Sequence, residues 1–388
     1  MKTSDPPEIA WTSGTWRSRT PERTWCLLQP VAEAAGVTRV ADVTGLDDIG
    51  VPVHMAVRPH ARTLSVSQGK GTTGLLSKVS AVMEAIELHY AENLVAADIE
   101  GATAADLGSL LHYPVEALEL HPGALWHPRF PLDWLTCTSL LTGRASAVPR
   151  DLVLLDRTVV PGSWYPPLFS ATSNGLASGN SDQEAMLHAL CELVERDSVA
   201  AAGDVLGRRR FDPAVVGDPA VDALCALISA ADVRLSVFDL TGPTGVPCVG
   251  ASVSGGSVPL TFGGFGCHPA TAVATCRAIT EAVQQRLTVI AGTRDDLPDE
   301  VYDLLHLGFV RETTPVRDGL EYVSPPPALP VRGFGEAVEC LAVKVREHTG
   351  HEPVWLRLTE PGTPVSVVKV VAPGLKLAGH GNYTAAGG

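Results

Sequence analysis

Four polar side chains share one face of a predicted helix in the middle of the chain. The helix is predicted to begin at Asn180 or Ser181, residue types that cap helix N-termini well, and to reach about Asp197. At about 100° per residue, its polar side chains fall within one arc of roughly 80°: Glu184, His188, Glu192 and Glu195. Nearly all other positions are apolar. Three carboxylates on one narrow face repel one another, so in a partly dry site they would take up protons or need a cation.

Magnesium is the cation that this chemistry favours, because Mg²⁺ prefers oxygen ligands and is usually shared with a substrate phosphate. The alternative interpretation is an acidic stripe exposed at a surface or at a subunit interface. A surface helix, however, usually spreads its polar residues over a wide arc and mixes their charges. The stripe therefore favours a cleft, and the exposed alternative stays open on this segment alone.

Two further predicted helices repeat this arrangement. Between about Leu75 and Asn93, an apolar helix carries three polar residues on one narrow arc: Ser80, Glu84 and Glu87. Between about Pro269 and Ala291, a single arc again groups a carboxylate with other polar residues: Arg277, Glu281, Gln284 and Thr288. Arg286 points to a different side of that helix under ideal geometry.

Glycine-rich stretches precede both of these helices. In Ser65–Gly74, exposed backbone N–H groups and Lys70 could cradle an anion, although the spacing of a Walker A loop is missing. Phe262–His268 is the second such approach to a helix. Neither stretch by itself is a specific signal for anion binding.

Composition excludes several classes of function. The formal charge of -14 disfavours binding to nucleic acid or to an anionic membrane. No apolar run has the length of a transmembrane helix, and the N-terminus lacks a signal-peptide pattern, so we expect a cytoplasmic protein. Eight scattered cysteines without a Cys-x-x-Cys pair argue against a zinc site and against a disulfide framework.

The remaining segments predict a mixture of strands and helices. Strands are expected at 37–43 and 51–57, a hairpin at 233–239 and 246–253, and strands with long loops over 99–173. A helix at 335–348 and a strand at 365–371 follow. Residues 1–25 are predicted to be irregular but able to fold over a site.

These motifs, taken together, closely resemble those of the YcaO family. The resemblance covers roughly Arg58 to Leu375 and includes the Gly-Lys-Gly stretch at 69–71. It rests on five spaced patterns in order: Ser80-x-x-x-Glu84-x-x-Glu87, Asn180-x-x-x-Glu184, Glu192-x-x-Glu195-Arg196, Glu281-x-x-Gln284-x-Arg286 and Val371-Ala-Pro-Gly-Leu375.

The resemblance implies an α+β fold of the YcaO type, with β-sheets and helices packed around a central cleft for ATP and Mg²⁺. Residues 1–57 would form an N-terminal region that packs on a catalytic domain of residues 58–388. The implied activity is ATP-dependent phosphorylation of a backbone amide oxygen in a ribosomally made precursor peptide. A nucleophile attacks the amide, and phosphate then leaves.

The family's functional residues transfer to matching positions of this chain. The resemblance implies five Mg²⁺ ligands: Glu84, Glu87, Glu184, Glu192 and Glu195. It implies a nucleotide-binding set: Ser80, Lys70, Asn180, Arg196, Glu281, Gln284 and Arg19. Catalytic roles are implied for Glu84, Glu192, Glu195 and Arg286. Cys191, which lies among the glutamates, is interpreted as a core residue.

The attacking nucleophile is the open question. The chain ends in Gly379–Gly388 without the Pro-x-Pro-x-Pro tail common in azoline-forming members. The stretches Ser173–Asn180 and Ile290–Leu297 look more like members that act with a TfuA-type partner protein and install thioamides from a sulfide source. Cyclodehydration of Cys, Ser or Thr to azolines and macroamidine formation stay open, as does a non-catalytic peptide-binding scaffold. A homodimer is a further implication of the resemblance.

Overall fold

Three long helices, each packed through an apolar side, form the centre of the fold. The structure is a computed structural model that describes residues 9–94, 96–156, 167–203, 206–294 and 320–377. Within these ranges the helices are α1 (Pro21–Ala34), α2 (Gly74–Glu92), α3 (Ala104–Leu107), α4 (Asp182–Ala202), α5 (Pro219–Ala230), α6 (Thr271–Ala291) and α7 (Phe334–Thr349). The predicted helices at 75–93, 180–197 and 269–291 correspond to α2, α4 and α6.

The strands form three sheets across the described residues. Their bounds are β1 (Arg39–Asp42), β2 (Val53–Val57), β3 (Val66–Lys70), β4 (Ile99–Ala102), β5 (Leu132–Ser139), β6 (Ala145–Pro149), β7 (Leu176–Gly179), β8 (Arg209–Arg210), β9 (Val233–Asp239), β10 (Cys248–Gly255), β11 (Val258–Cys267), β12 (Glu321–Tyr322), β13 (Val354–Arg357) and β14 (Ser366–Val371). The sheet orders are β1-β2-β3, then β11-β10-β9-β8-β12, and β4-β5-β13-β14-β7 with β6 paired to β5. The predicted hairpin is confirmed, because β9 and β10 pair antiparallel with Phe238 opposite Gly250.

Each of the three helices packs on a sheet with its apolar side. Helix α2 lies on β2 and β3, α6 lies on β10 and β11, and α4 lies on β7 and β14 and also contacts α7 and β11. The α4 core includes Leu190 and Val194, which are fully buried. Because β7 and β14 contact α4 and α2, this packing brings α2 and α4 to the same sheet.

The glycine-rich stretches serve helix packing. Gly69 lies in β3, where a Cβ would stand 2.0 Å from the backbone nitrogen of Ala81 in α2. Gly264 in β11 has the same role, since a Cβ there would lie 2.2 Å from the backbone nitrogen of Ala282 in α6. Residues 66–70 of the first stretch pair with β2 as a strand. Anion binding by this stretch stays a prediction.

The N-terminal region contacts the rest of the described chain through α1 and β2. Helix α1 contacts α2, and β2 pairs with β3. A division of the chain at residue 57 stays a prediction, since the three-stranded sheet joins residues on both sides of it. Among the helices of the described residues, none combines the length and the apolar character that a bilayer span requires.

Candidate functional site

In each of three carboxylates, one oxygen accepts a hydrogen bond from a backbone N–H group. Ser178 of β7 donates to Glu87 Oε1 from its backbone nitrogen at 2.8 Å and from its Oγ at 2.5 Å. The N–H of Gln68 donates to Glu84 Oε2 at 3.3 Å, and that of Gly175 donates to Glu192 Oε2 at 3.0 Å. These bonds orient the carboxylates of α2 and α4 and leave their other oxygens for a ligand.

The carboxylates lie near enough to raise one another's pKa. Burial, together with the charges of Glu84 and Glu192, raises the pKa of Glu87 to about 8, while the hydrogen bonds from Ser178 act against that shift. Burial likewise raises the pKa of Glu84 and of Glu192. The pKa of Glu195 rises to about 7 through burial and the charge of Glu281. A divalent cation would offset this repulsion and favour the ionised forms.

Positive side chains from β3 and from α4 itself complete the cluster. Lys70 Nζ of β3 lies 2.9 Å from Glu281 Oε2 of α6. Arg196 Nη2 lies 3.7 Å from Glu195 Oε1 and 4.0 Å from Glu192 Oε1. Burial would raise the pKa of Glu281, but the charges of Lys70, Arg196 and Arg277 outweigh it and lower that pKa. Residues of α2, α4, α6 and β3 therefore meet at one polar site.

Glu184 stands apart from the other predicted metal ligands. Its oxygens accept hydrogen bonds from Arg17 Nη1 at 3.2 Å and from the N–H and Oγ of Ser18 at 2.9 and 2.7 Å. Asn180 Nδ2 also donates to it, at 3.1 Å. Glu184 precedes Glu192 by eight residues, which is about 12 Å along the helix. It joins the N-terminal segment to α4. That this segment folds over the site stays a prediction.

The remaining nucleotide-binding candidates differ in placement. Asn180 Oδ1 accepts from Thr24 Oγ1 at 2.8 Å, beside Glu184. Ser80 is half-buried one turn before Glu84, and Gln284 is buried one turn after Glu281. Arg19 is directed elsewhere, because its Nη1 donates to the backbone oxygen of Pro364 at 2.8 Å. Arg17, two residues earlier, is the arginine that reaches α4.

Arg286 does not reach the site. Its side chain is fully buried, with Nε 3.0 Å from Asp47 Oδ2 and Nη1 donating to the backbone oxygen of Gly255 at 2.8 Å. Five residues separate it from Glu281, which turns it about 140° around the helix. The geometry therefore corrects the expected catalytic role to a structural one.

The carboxylate oxygens of the site suit an Mg²⁺ ion that is bound together with a phosphate. No group of three or more His, Cys, Asp or Glu side chains in the described ranges is arranged as a ready metal site. Mg²⁺ seldom uses such a cage, because it typically takes one or two carboxylates and completes its shell with phosphate oxygens and water. The carboxylates of Glu84, Glu87 and Glu192 are each held by one oxygen, and their other oxygens fit that mode of binding.

A small cavity lies where the N-terminal segment meets α4 and α6. Trp16 stacks edge-on against His268, with ring centroids 4.7 Å apart. Burial, with the charges of Arg277 and Arg17, lowers the pKa of His268 to about 3, and similar causes lower the pKa of His188 well below its usual value. Cys191 also lines this cavity and is 2% exposed.

Sequence reasoning missed a buried lysine close to the carboxylates. Lys369 lies in the apolar strand β14 and is 3% exposed. Its Nζ donates to the backbone oxygen of Thr172 at 2.8 Å. Burial lowers its pKa to about 8, while the charges of Glu192 and Glu119 act against that shift. A lone lysine inside a run of valines was the available signal.

Comparison with known proteins places these features in a family context. The family model described as YcaO cyclodehydratase, ATP- and Mg²⁺-binding, matches residues 68–376. A Rhizobium leguminosarum bv. trifolii protein, named for its place in the region 3′ of tfuA, is 35% identical over 386 residues. That match covers 95% of this chain and 90% of the relative.

Two solved structures share the fold. A heterocyclase in complex with substrate and cofactor has a TM-score of 0.76 at 24% identity; the match covers 97% of this chain but 54% of that one, so the chain spans about half its length. YcaO from Methanopyrus kandleri, bound with AMPPCP and Mg²⁺, has a TM-score of 0.70 at 21% identity, with 95% of both chains covered. The expected α+β fold of the YcaO type is confirmed.

Proposed function

The chain belongs to the YcaO family, an ATP- and Mg²⁺-binding family, and from that premise we propose that it is an ATP-dependent enzyme that activates a backbone amide of a precursor peptide. One observation carries this proposal most directly. Glu84, Glu87 and Glu192, from two helices, each have one oxygen fixed by a backbone N–H. Buried acids with raised pKa would be costly without a cation to offset their charge.

Each part of the site has a distinct role in this proposal. When bound, ATP supplies the phosphoryl group that turns the amide oxygen into a good leaving group, and Mg²⁺ offsets phosphate charge. Glu84, Glu87 and Glu192 would hold Mg²⁺ through their free oxygens. Arg196 and Lys70 would attract phosphate oxygens, with Lys70 oriented by Glu281.

Neighbouring groups would transfer protons and position the nucleotide. The raised pKa of Glu195, about 7, lets this carboxyl hold or release a proton near neutral pH. Asn180 and Ser80 would contact the nucleotide or its metal shell, and Gln284 would do so from α6. Arg17 is the candidate that replaces Arg19 on the N-terminal side.

For the chemistry that follows activation, we favour thioamide formation with a sulfide source and a TfuA-type partner. The Rhizobium relative, which takes its name from the tfuA region, supports this choice. So does the resemblance of the stretches at 173–180 and 290–297, although 295–297 and the C-terminal 379–388 lie outside the described residues. Azoline or macroamidine formation is the alternative. A homodimer and a cytoplasmic location stay predictions.

Mass spectrometry of a candidate precursor peptide tests the chemistry. The protein is incubated with the peptide, Mg²⁺ and ATP, with and without sulfide. Replacing oxygen by sulfur adds about sixteen mass units, whereas azoline formation removes water and about eighteen units, by atom counting of the activated group. A gain that requires sulfide supports thioamidation, and a loss that occurs without sulfide supports cyclodehydration. A scaffold without catalysis would consume no ATP with any peptide.

A further inference from the structure

A lysine is buried in β14, a strand that packs against α4. The strand reads Ser-Val-Val-Lys-Val-Val, and Lys369 is 3% exposed among these valines. Burying a charged group costs free energy that another valine at this position would avoid. The contacts of Lys369 therefore indicate its role.

Lys369 holds the loop that precedes β7. In the antiparallel pair of β14 and β7, Lys369 stands opposite Leu176, the first residue of β7. Its Nζ donates to the backbone oxygen of Thr172 at 2.8 Å. Thr172 Oγ1 in turn accepts from the backbone nitrogen of Asn174 at 3.3 Å. Lys369 thus fixes the start of a loop that runs from Thr172 to Gly175.

The end of this loop orients a proposed Mg²⁺ ligand. The N–H of Gly175 donates to Glu192 Oε2 at 3.0 Å, and the oxygen of Gly175 accepts from the N–H of Val370 at 2.8 Å. The N–H of Gly175 belongs to the rigid peptide plane that it shares with Asn174. The bond to Val370 lies on the other side of the Cα, so it does not by itself fix the direction of that N–H. A second anchor is needed before Asn174, and Thr172 provides it.

A direct effect of charge is the alternative role for Lys369. Glu192 and Glu119 act on the ammonium as neighbouring charges, whereas its hydrogen bond goes to the loop. A positive charge near an Mg²⁺ site repels the metal ion and so weakens Mg²⁺ binding. Orientation of Glu192 through the loop instead strengthens Mg²⁺ binding. The two roles therefore predict changes of opposite sign when the ammonium is removed.

We propose that Lys369 is a positioning residue for Mg²⁺ binding, and that it orients the carboxylate of Glu192 through the loop from Thr172 to Gly175. This role rests on the proposed function, because it requires that Glu192 binds Mg²⁺. In this role Lys369 touches neither the metal ion nor the nucleotide.

A double-mutant cycle separates this role from a purely structural one. Lys369→Met removes the donor and the charge, and Thr172→Val keeps the shape of the side chain, removes the Oγ1 acceptor and changes no charge. Each is also combined with Glu192→Ala, which removes the carboxylate that the loop orients. Lys376→Met is the matched control, because Lys376 is exposed seven residues further along the chain. Calorimetry measures AMPPCP binding at equal Mg²⁺ concentrations, and circular dichroism establishes that each variant is folded.

Lys369→Met should weaken Mg²⁺-dependent AMPPCP binding about fivefold, and Thr172→Val about threefold. Both losses are smaller than the roughly tenfold or larger effect of removing a group that contacts a metal ligand directly, since these residues act through the loop. In the Glu192→Ala background, either change should weaken binding by less than about twofold, because the group that they orient is absent. Lys376→Met should bind as wild type does.

Unchanged or stronger binding by folded Lys369→Met overturns the proposal. An equally large loss in the Glu192→Ala background also overturns it, since a purely structural residue would behave in that way. If Lys369→Met fails to fold, Thr172→Val decides by the same two criteria. Wild-type protein that binds no nucleotide with Mg²⁺ refutes the proposed function and this role with it. Normal wild-type binding together with either contrary result refutes the role of Lys369 alone.

Discussion

The carboxylate of Glu192 is held at 3.0 Å by the backbone N–H of Gly175, at a position where no side chain fits. Gly175 adopts φ +75°, and the nearest backbone atom to a Cβ would be the oxygen of Val370. The geometry of a charged group on α4 thus depends on the absence of a side chain in the preceding loop.

Gly175→Ala should therefore displace Glu192 as well as strain the backbone. The left-handed φ alone costs about 1–3 kcal/mol, and the close approach to Val370 adds to it. Gly143→Ala is the matched control, because Gly143 has φ +67° with no atom within 4 Å of a Cβ. Denaturant unfolding should show a larger loss in Gly175→Ala, and ATP turnover should fall only there. Equal losses of stability with normal turnover in both would refute this dependence.

The pH dependence of stability should report the buried acid Glu87. Its native pKa of about 8 lies above the ordinary value of 4.5, so the free energy of unfolding decreases as the pH rises from about 4.5 and levels off above about 8. In Glu87→Gln this decrease should be smaller. Thermal midpoints measured without Mg²⁺ from about pH 6.5 to 9 avoid protonation of the buried histidines. Exposed Glu347→Gln is the control. A pH profile of Glu87→Gln that matches wild type would contradict the buried site.

Arg286 should matter for folding rather than for chemistry. Arg286→Met leaves Asp47 buried and unpaired, which costs about 3–5 kcal/mol. Adding Asp47→Leu should recover part of that loss, because the uncompensated charge is then gone. Denaturant unfolding of both variants measures the effect. A stable Arg286→Met protein without ATP turnover would restore the catalytic role expected from sequence.

The contact between Arg17 and Glu184 should hold the N-terminal segment on α4. Arg17→Met removes a donor to Glu184, and the backbone near Ser18 should become more accessible to protease. Arg23→Met is a nearby control, since Arg23 is exposed. Limited proteolysis followed by mass mapping of the cleavage sites makes the comparison. Equal cleavage of both variants and wild type would show that the contact does not order the segment.

The periodic patterns predicted the helices better than they predicted the contacts. A repeat near 3.6 residues located α2, α4 and α6, since each must bury an apolar side. The same pattern could not show that Glu184 faces Arg17 while Glu192 faces α2. That difference depends on which element packs against each turn of α4.

Neighbouring residues in a motif also proved hard to assign. Arg286 lies between Gln284 and Thr288 of the polar arc of α6 but contacts Asp47. Arg17, and not Arg19, contacts Glu184 of α4. Lys369 belongs to β14, a strand distant in sequence from Glu192 of α4. Such groups are brought together by sheet pairing, which local patterns do not encode.

Calorimetric titration with AMPPCP tests most directly whether these glutamates bind Mg²⁺ with a nucleotide. Wild-type protein, Glu84→Gln and Glu192→Gln are compared with and without Mg²⁺, and circular dichroism establishes that each is folded. We predict that wild type binds the nucleotide only when Mg²⁺ is present, and that either variant weakens this binding by about tenfold or more, because each removes a charged ligand. Undiminished Mg²⁺-dependent binding in both variants, or no nucleotide binding by the wild-type protein, would contradict the account.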